Sequence, residues 1–312
     1  MQLDIFVVFT NLLALFLLIA VGFIIAKLKW IPQEGSSIFS SLLVKVTLPC
    51  TIFVSLASRE YDPNFIKDVL ITLAIGMVVF PGMHLLGKIC AKALGVKRGK
   101  RGIWEFTAAY SNNGFMGFPI TLTLFGEDGL AIAVIYNICF NIFAYTIGAM
   151  SVMGDSQEEG HKLDIKSVIF TNINYAIVLS LIVYFARIPV PEVILTPMTH
   201  LSNITTPISM VIIGMVLSRS NALEMIRDKD AWTATFFRLL ASPFILIFIF
   251  RFLPIHNPLI PSVVITLMSM PVAAVCTVLA ETYHGNIDMA AKVSFLTNIL
   301  SLITIPFISM FL

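Results

Sequence analysis

Ten long apolar runs, separated by short polar connections, set the pattern of this chain. Each run is close to the roughly 20 residues that an α-helix needs to cross the hydrocarbon core of a membrane. The most polar connection, residues 154–165, divides the chain in half. The pattern therefore predicts an all-α membrane protein with ten transmembrane segments, at residues 5–26, 36–58, 66–87, 103–125, 128–153, 166–186, 193–218, 231–250, 260–280 and 288–311.

Composition and charge agree with this prediction and add an orientation. The 312 residues are 58% hydrophobic and only 12% charged, whereas soluble domains are about half apolar and about a quarter charged. With the N-terminus outside, 15 of the 20 Lys and Arg residues fall on inner loops or inner helix ends, and four fall on the outer side. Because Lys and Arg concentrate on the cytoplasmic side, we expect a multi-pass protein of the cell membrane with both termini outside.

The run Ser111–Ile120, SNNGFMGFPI, interrupts the fourth segment with residues that break helices. Its two asparagines lie about ten residues, or ~15 Å, into the segment, near the middle of the membrane. Backbone groups in lipid must be hydrogen-bonded within their own element, so such a break survives only against protein or a water-filled cavity. In secondary transporters, a broken helix at this depth marks a substrate site.

The two halves of the chain share a set of landmarks. Four pairs recur in order at spacings of 152 to 162 residues: Pro49 and Pro207, Pro81 and Pro243, Pro119 and Pro271, and Asn141 and Asn298. An odd number of helices per repeat inverts the second copy in the membrane, which is a plan found in secondary transporters. We therefore predict two inverted five-helix repeats, residues 1–154 and 166–312, joined by a cytoplasmic linker at residues 155–165.

Segment 9 supplies a partner for the break in segment 4. Pro271, within Met268–Val275, approaches from the opposite side and reaches a similar estimated depth. If both helices unwind and cross there, free amides at half-helix N-termini can hold an anion, and free carbonyls can hold a cation. The alternative is two proline kinks packed against neighbouring helices. The candidate substrate-binding residues, at the crossover and on an opposite wall from segments 2 and 7, are Asn112, Asn113, Gly114, Pro119, Met270, Pro271, Thr47, Pro49, Thr205 and Pro207.

Uncharged polar side chains at central depth in segments 5 and 10 are further candidates. Amides and hydroxyls can bind a sodium ion, a carboxylate or water, or they can simply hydrogen-bond one helix to another. These ion-binding or helix-pairing candidates are Asn137, Asn141, Thr297, Asn298 and Ser301.

Charged residues are absent from the estimated centre of every segment, which argues against a proton antiporter built on paired carboxylates. Lys45, one turn before Pro49, is a candidate for attracting an anion into the inner vestibule. We expect His84 to lie at the membrane interface. We also expect long charged side chains near inner helix ends to reach the membrane surface, namely those of Glu105, Arg238, Glu281 and Lys292.

Other function classes lack a signal in this sequence. It has no P-loop, no HExxH and no nucleophile elbow, and its four cysteines show no metal-type spacing. The basic loop Lys97–Arg101 orients the protein among membrane lipids and needs no nucleic acid as a partner. We therefore expect no enzyme activity, no metal and no cofactor, with H+, Na+ or no ion driving transport.

Two motifs carry a resemblance to a known family. VTLPCTIF (Val46–Phe53) and SNNGFMGFPI, with the ten-segment length, resemble the auxin efflux carrier family over nearly the whole chain. This family includes plant auxin exporters and many bacterial permeases for malate, malonate or similar carboxylates. The short loop 154–165 departs from the large cytoplasmic loop of the long plant exporters, and it favours a bacterial-type permease.

The resemblance implies a two-domain fold, shared with bile acid:sodium symporters and NhaA-like antiporters. Segments 1, 2, 6 and 7 would form a scaffold domain, often the surface of a homodimer. Segments 3–5 and 8–10 would form a mobile crossover domain. By matching position, the crossover asparagine falls on Asn112 or Asn113, and the crossover prolines fall on Pro119 and Pro271.

Together these features predict a secondary transporter or facilitator of a small organic anion, such as a mono- or dicarboxylate, that works by alternating access. One alternative is a membrane sensor or scaffold that binds a ligand without transporting it. Another is a sodium-coupled symporter of the bile-acid type. A membrane-embedded enzyme would need a central reactive pair, which the sequence does not show.

Overall fold

The fold is all-helical in the computed structural model, which describes residues 5–32, 34–156, 171–218 and 225–312. Within these ranges extended backbone pairs only at one bridge, between Ser111 and Val272. The helices are α1 (Ile5–Lys27), α2 (Gly35–Ala57), α3 (Phe65–Ala93), α4 (Arg101–Ala109), α5 (Asn113–Met153), α6 (Asn172–Ala186), α7 (Glu192–Leu217), α8 (Lys229–Phe252), α9 (Leu259–Met268), α10 (Val275–Thr282) and α11 (Ile287–Ser309).

Seven helices of the described part are long and apolar enough to cross a membrane: α1, α2, α3, α5, α7, α8 and α11. The all-α prediction is therefore confirmed, while the ten-segment inverted repeat stays a prediction. The numbers differ because predicted segment 4 is divided between α4 and the start of α5, and segment 9 between α9 and α10. Predicted segment 6 is represented by the shorter α6, and residues 157–170, which hold most of the predicted linker, lie outside the described residues.

The 41-residue helix α5 turns sharply at Gly126. This residue has φ +66° and ψ −161°, a combination that only glycine adopts readily. Gly126 lies between predicted segments 4 and 5, so α5 contains the end of one and the whole of the next.

Helices α1 and α7 approach each other with backbone against backbone. A Cβ atom added to Gly214 would lie 2.0 Å from the carbonyl oxygen of Ile19, and one added to Gly22 would lie 2.1 Å from that of Val211. Small residues permit this close packing between apolar helices, where van der Waals contact is a main source of association.

The helix contacts fall into two groups, with α1, α2, α6 and α7 in the first and the remaining helices in the second. Helix α2 packs against α6 and α7, and the hydroxyl oxygens of Thr51 and Thr205 lie 2.7 Å apart between α2 and α7. Helices α3, α4 and α5 pack together, α9 packs against α5, and α11 packs against α8 and α10. Contacts of α1 with α5 and α11, and of α2 with α5, join the two groups.

Polar contacts distinguish the two ends of the helix bundle. We call one end of the bundle the basic end. There the Asp228 carboxylate accepts a hydrogen bond from the Lys100 ammonium group at 2.6 Å and lies 3.6 Å from that of Lys292. These contacts bring the starts of α4, α8 and α11 together. At the opposite end, Arg59 pairs with Asp128 at 2.5 Å. The basic loop Lys97–Arg101 therefore lies at one end and the Gly126 turn at the other.

Candidate functional site

The first break separates α4 from α5 and depends on Asn112. Tyr110 leaves the helical conformation with φ −115° and ψ 111°. The side-chain oxygen of Asn112 then accepts the backbone N–H of Phe115 at 3.1 Å and caps the start of α5. Asparagine is a favoured N-cap, and Pro119 fits the first helical turn that follows the π-helical Asn113–Gly117.

The second break, between α9 and α10, lies against the first. The backbone N–H of Asn112 donates to the carbonyl of Pro271 at 2.8 Å, and that of Ala273 donates to the carbonyl of Tyr110 at 3.0 Å. Each break therefore satisfies backbone groups of the other, which an unwound chain inside a membrane requires. Met270 and Pro271 are buried within this contact.

Arg238 of α8 is fully buried and joins both breaks. Its guanidinium donates to the carbonyl oxygen of Ala108 at 3.2 Å and to that of Met268. These carbonyls lie in the last turns of α4 and α9, where helices carry partial negative charge. A single fixed cation thus neutralises the C-terminal ends of both half-helices.

The expectation that Arg238 reaches the membrane surface is wrong. The two broken helices present carbonyls that have no intrahelical donors. A guanidinium with five N–H groups finds acceptors there, whereas an apolar helix surface offers it none. Helix α8 begins at Lys229, so a count along the helix already places Arg238 more than two turns inside it. An ionisable residue at such a depth in a membrane helix usually has a functional or structural partner, and this position is the signal in the sequence that points to one.

A cavity of about 120 Å³ lies beside the crossover. Its polar lining comes from Ser40 of α2, Asn112 of the first break, and Ser294 and Asn298 of α11. Apolar residues of α7 and of the two breaks complete it, and none of the described residues that line it is charged. Asn112 and Ala274, the N-cap residues of α5 and α10, both line this cavity. The positive ends of two helix dipoles therefore meet at one small space.

The two adjacent asparagines have different surroundings. Asn112 lines the cavity, whereas Asn113 is 1% exposed. The side-chain oxygen of Asn113 accepts the hydroxyl of Ser111 at 2.9 Å, and its amide nitrogen donates to Asn137 at 3.4 Å. Asn113 and Asn137 thus stabilise the first break without lining the cavity.

The polar candidates of segments 5 and 10 also separate by position. Asn298 lines the cavity, and its Oδ1 is buried with no hydrogen-bond partner among the described residues. Thr297 accepts the backbone N–H of Val272 at 3.2 Å and so anchors the second break. Asn141 instead donates to Asn174 of α6 at 2.8 Å, and Ser301 donates to the carbonyl of Asn298 at 2.7 Å.

The residues predicted to form the opposite wall of the site do not line this cavity. Ser40 of α2 and the last turns of α7, including Leu217, form that side of the cavity. The residues that were expected there lie elsewhere on α2 and α7: Thr47 and Thr205 are buried, Pro49 is half-buried, and Pro207 is exposed. Gly114, Pro119, Met270 and Pro271 shape the breaks without lining the cavity.

Lys45 is exposed on α2 and does not line the cavity. Its backbone carbonyl accepts Asn172 of α6 at 3.1 Å. The roles of Lys45 and of the wall residues as parts of a site stay predictions.

His84 and Glu105 are both buried. The expectation that Glu105 reaches the surface is therefore wrong, while the expected place of His84 at the membrane interface stays a prediction. The two residues are 7% and 6% exposed and share the hydroxyl of Ser151, which offers a partner inside the bundle. Glu281 is exposed, and Lys292 is half-buried in the ion pairs of the basic end. In the described part of the chain, no group of three or more His, Cys, Asp or Glu side chains is arranged to hold a metal ion.

Comparison with known proteins gives a consistent family. A family model described as "Membrane transport protein" matches residues 7–309. An uncharacterized transporter of Methanothermobacter thermautotrophicus (strain Delta H) is 27% identical over 298 residues, covering 95% of both chains. An uncharacterized transporter of Methanocaldococcus jannaschii is 25% identical over 303 residues, covering 94% of this chain and 95% of its own.

The match to this family extends over the breaks, the cavity and all of the apolar helices described above. It agrees with the resemblance of the two sequence motifs, and it makes this a multi-pass membrane protein. The chain belongs to the membrane transport protein family, that of the auxin efflux carriers.

Proposed function

We propose that this protein is a secondary transporter of a small organic anion, such as a mono- or dicarboxylate, which binds in the cavity beside the crossover. The observation that carries the proposal is the arrangement of four half-helix ends. The two N-terminal ends, at Asn112 and Ala274, line the cavity, while the two C-terminal ends are bound by Arg238.

Electrostatics favour an anion over a cation in this cavity. Helix N-termini attract negative charge through free amides and the helix dipole. The carbonyls that would otherwise attract a sodium ion at the crossover already accept the Arg238 guanidinium. This arrangement argues against the sodium-coupled symporter of the bile-acid type at this position.

The polar groups and the size of the cavity fit a small ligand. The oxygen of Asn112 caps α5, so its amide nitrogen is the atom suited to donate to a carboxylate. Hydroxyls of Ser40 and Ser294 can donate to further ligand oxygens, and the Oδ1 of Asn298, unpartnered among the described residues, can accept a ligand hydroxyl. A volume of about 120 Å³ is well below the roughly 300–1,000 Å³ of sites for drug-sized ligands.

The two groups of helices support alternating access as the mechanism. We propose that α1, α2, α6 and α7 form a scaffold and that the remaining helices move against it. We also propose the inverted repeats and the homodimer that the resemblance to the auxin efflux carriers implies. The cavity lies between Ser40 and Leu217 of the first group and Asn112 and Asn298 of the second. Relative motion of the groups would open and close this space, a type of motion that many transporters use.

Binding and uptake assays test this proposal. Purified protein is screened by thermal shift against acetate, lactate, malonate and malate, and each stabilising anion is then tested for uptake into proteoliposomes. Asn112→Ala removes a hydrogen bond to a charged ligand, worth about 1.5–3 kcal/mol, so we expect its affinity to fall about 10- to 100-fold.

Asn141→Ala is the matched control, because this asparagine lies on the same helix but outside the cavity. It should retain binding. Unchanged affinity in Asn112→Ala for every accepted anion would exclude the proposed site. Binding without any uptake by the wild type would favour the sensor or scaffold instead.

A further inference from the structure

A second, larger cavity opens at the basic end and is separate from the cavity beside the crossover. It has a volume of about 760 Å³ and lies between α3, the start of α4 and the end of α5. Its wall carries both signs of charge, from Lys88, Arg98, Arg101, Glu105 and Asp155. His84 and Ser151 line it as well. The proposed anion transport uses none of these residues.

His84, Ser151 and Glu105 form a buried hydrogen-bonded triad in this wall. The Ser151 hydroxyl donates to Oε2 of Glu105 at 3.1 Å and lies 3.0 Å from Nε2 of His84. Because the hydroxyl has only one hydrogen, its oxygen accepts from His84 when it donates to Glu105. Nε2 and Oε2 themselves are 3.8 Å apart.

This hydrogen-bond order leaves one place for a further proton. Nδ1 of His84 is buried with no hydrogen-bond partner among the described residues, which suits a lone pair better than an N–H. With His84 neutral and Glu105 ionised, the triad carries one negative charge. A proton taken up by the pair, on the carboxylate or on Nδ1, would remove that charge. The two groups therefore bind this proton as a pair.

The surrounding charges come from each element that packs against the triad. Lys88 lies one turn beyond His84 on α3, and Arg101 lies one turn before Glu105 on α4. Asp155 follows α5 and accepts the backbone N–H groups of Gly102 and Ile103, both at 3.0 Å. Basic and acidic groups are thus mixed around the triad.

The triad is in contact with the crossover. The ring of His84 lies 5.8 Å, between centroids, from that of Tyr110, the first residue of the first break. The Tyr110 carbonyl accepts the N–H of Ala273 in the second break. Glu105 lies on α4, whose last turn is bound by Arg238. A change of one charge in the triad would therefore arise next to the element that positions the cavity's N-cap residues.

We propose that His84, Ser151 and Glu105 form a proton-binding site that couples transport to proton movement. Only the coupling to transport rests on the proposed transport function. Proton binding itself requires no substrate and can be measured on the purified full chain.

The first test is a pH titration of histidine-labelled protein in detergent micelles by 15N NMR, with His84→Gln to identify the signal of His84. An opposite charge within about 4–6 Å changes a titration midpoint by about 1–3 pH units. We therefore expect Glu105→Gln to lower the midpoint of His84 by about that amount. Ser151→Ala, which removes only the bridge, should move it in the same direction by less.

The control variant is Asp68→Asn, because Asp68 lies in the first turn of α3 and His84 lies toward the other end of the same helix. It should leave the titration of His84 unchanged. A His84 midpoint that ignores Glu105→Gln, or that responds equally to both variants, would overturn the proton site.

The second test measures coupling in proteoliposomes with the anion that the wild type takes up best. An imposed pH gradient should change the wild-type uptake rate, and Glu105→Gln should lose this response while it retains uptake without a gradient. Retention of the gradient response in Glu105→Gln would overturn the coupling. If Asn112→Ala transports normally while the NMR result holds, the anion site fails and the proton site stands.

Discussion

At the scale of single residues, Arg238 shows how a charge can be stabilised inside an apolar helix bundle. Burying a guanidinium is costly unless its N–H groups are paired. Here the acceptors of the two terminal nitrogens are carbonyls that the breaks leave without intrahelical donors, so guanidinium and carbonyls satisfy each other, while Nε has no partner among the described residues. Arg238 also gives the crossover a fixed positive charge, which would repel a coupling cation.

Arg238→Gln should destabilise the protein markedly. Each carbonyl left without a donor costs about 1–3 kcal/mol, and Arg238 serves both Ala108 and Met268. Arg238→Lys should lie between wild type and Arg238→Gln, because an ammonium lacks the planar fork that reaches both carbonyls. Thermal unfolding in detergent, followed by tryptophan fluorescence, measures the difference.

Arg251→Gln provides the control, since Arg251 is exposed near the end of the same helix. Its melting temperature should match that of the wild type. If Arg238→Gln melted together with Arg251→Gln, the guanidinium would have no part in holding the breaks.

At the scale of elements, helix contacts depend on where the side chains are small. Helices α1 and α7 are both apolar, and apolar surface alone does not drive association within lipid. Gly22 and Gly214 bring their backbones together, which gives this pair a specific register. This contact lies within the helix group proposed as the scaffold.

Gly214→Ala should disrupt the contact between α1 and α7. The new methyl group would lie 2.0 Å from a backbone carbonyl oxygen, so the helices would have to separate. Overpacking of this kind costs about 1–3 kcal/mol, which a melting curve in detergent detects. Gly82→Ala on α3, where a Cβ meets nothing within 4 Å, should be neutral or stabilising. A Gly214→Ala variant as stable as Gly82→Ala would contradict the close packing.

At the scale of the whole molecule, charge decides which end of the bundle faces the cytoplasm. Lys97 and Glu127 are both exposed, the first in the basic loop and the second beside the turn at Gly126. Helix α3 begins near Arg59, which pairs with Asp128, and ends near the basic loop, so the two loops lie at opposite ends of the bundle. The excess of Lys and Arg then predicts that the basic end, with the larger of the two cavities, faces the cytoplasm.

Cysteine labelling tests this orientation. Lys97→Cys and Glu127→Cys are made singly in a variant whose four native cysteines are replaced, and intact cells are treated with a membrane-impermeant maleimide. Residue 127 should react in intact cells, and residue 97 only after permeabilisation. The reverse pattern would place the termini inside and would invert the proposed direction of access.

The sequence by itself determined the helical class, the family and the positions of both breaks. Length and hydropathy define a helix in lipid, and residues such as Asn112, Pro119 and Pro271 limit where a helix can continue. These are local properties, so they can be predicted from the order of residues alone. The predicted number of spans and their inverted pairing depend on longer-range relations and remain predictions.

Only the tertiary structure decided which polar groups meet. Asn112 and Asn113 are equivalent by spacing, yet one lines the cavity and the other pairs with Asn137. Arg238, His84 and Glu105 look like interfacial residues along the chain, yet each turns inward to partners on other helices. A helix pattern specifies depth and face, but a buried polar group takes its position from whichever neighbour can complete its hydrogen bonds.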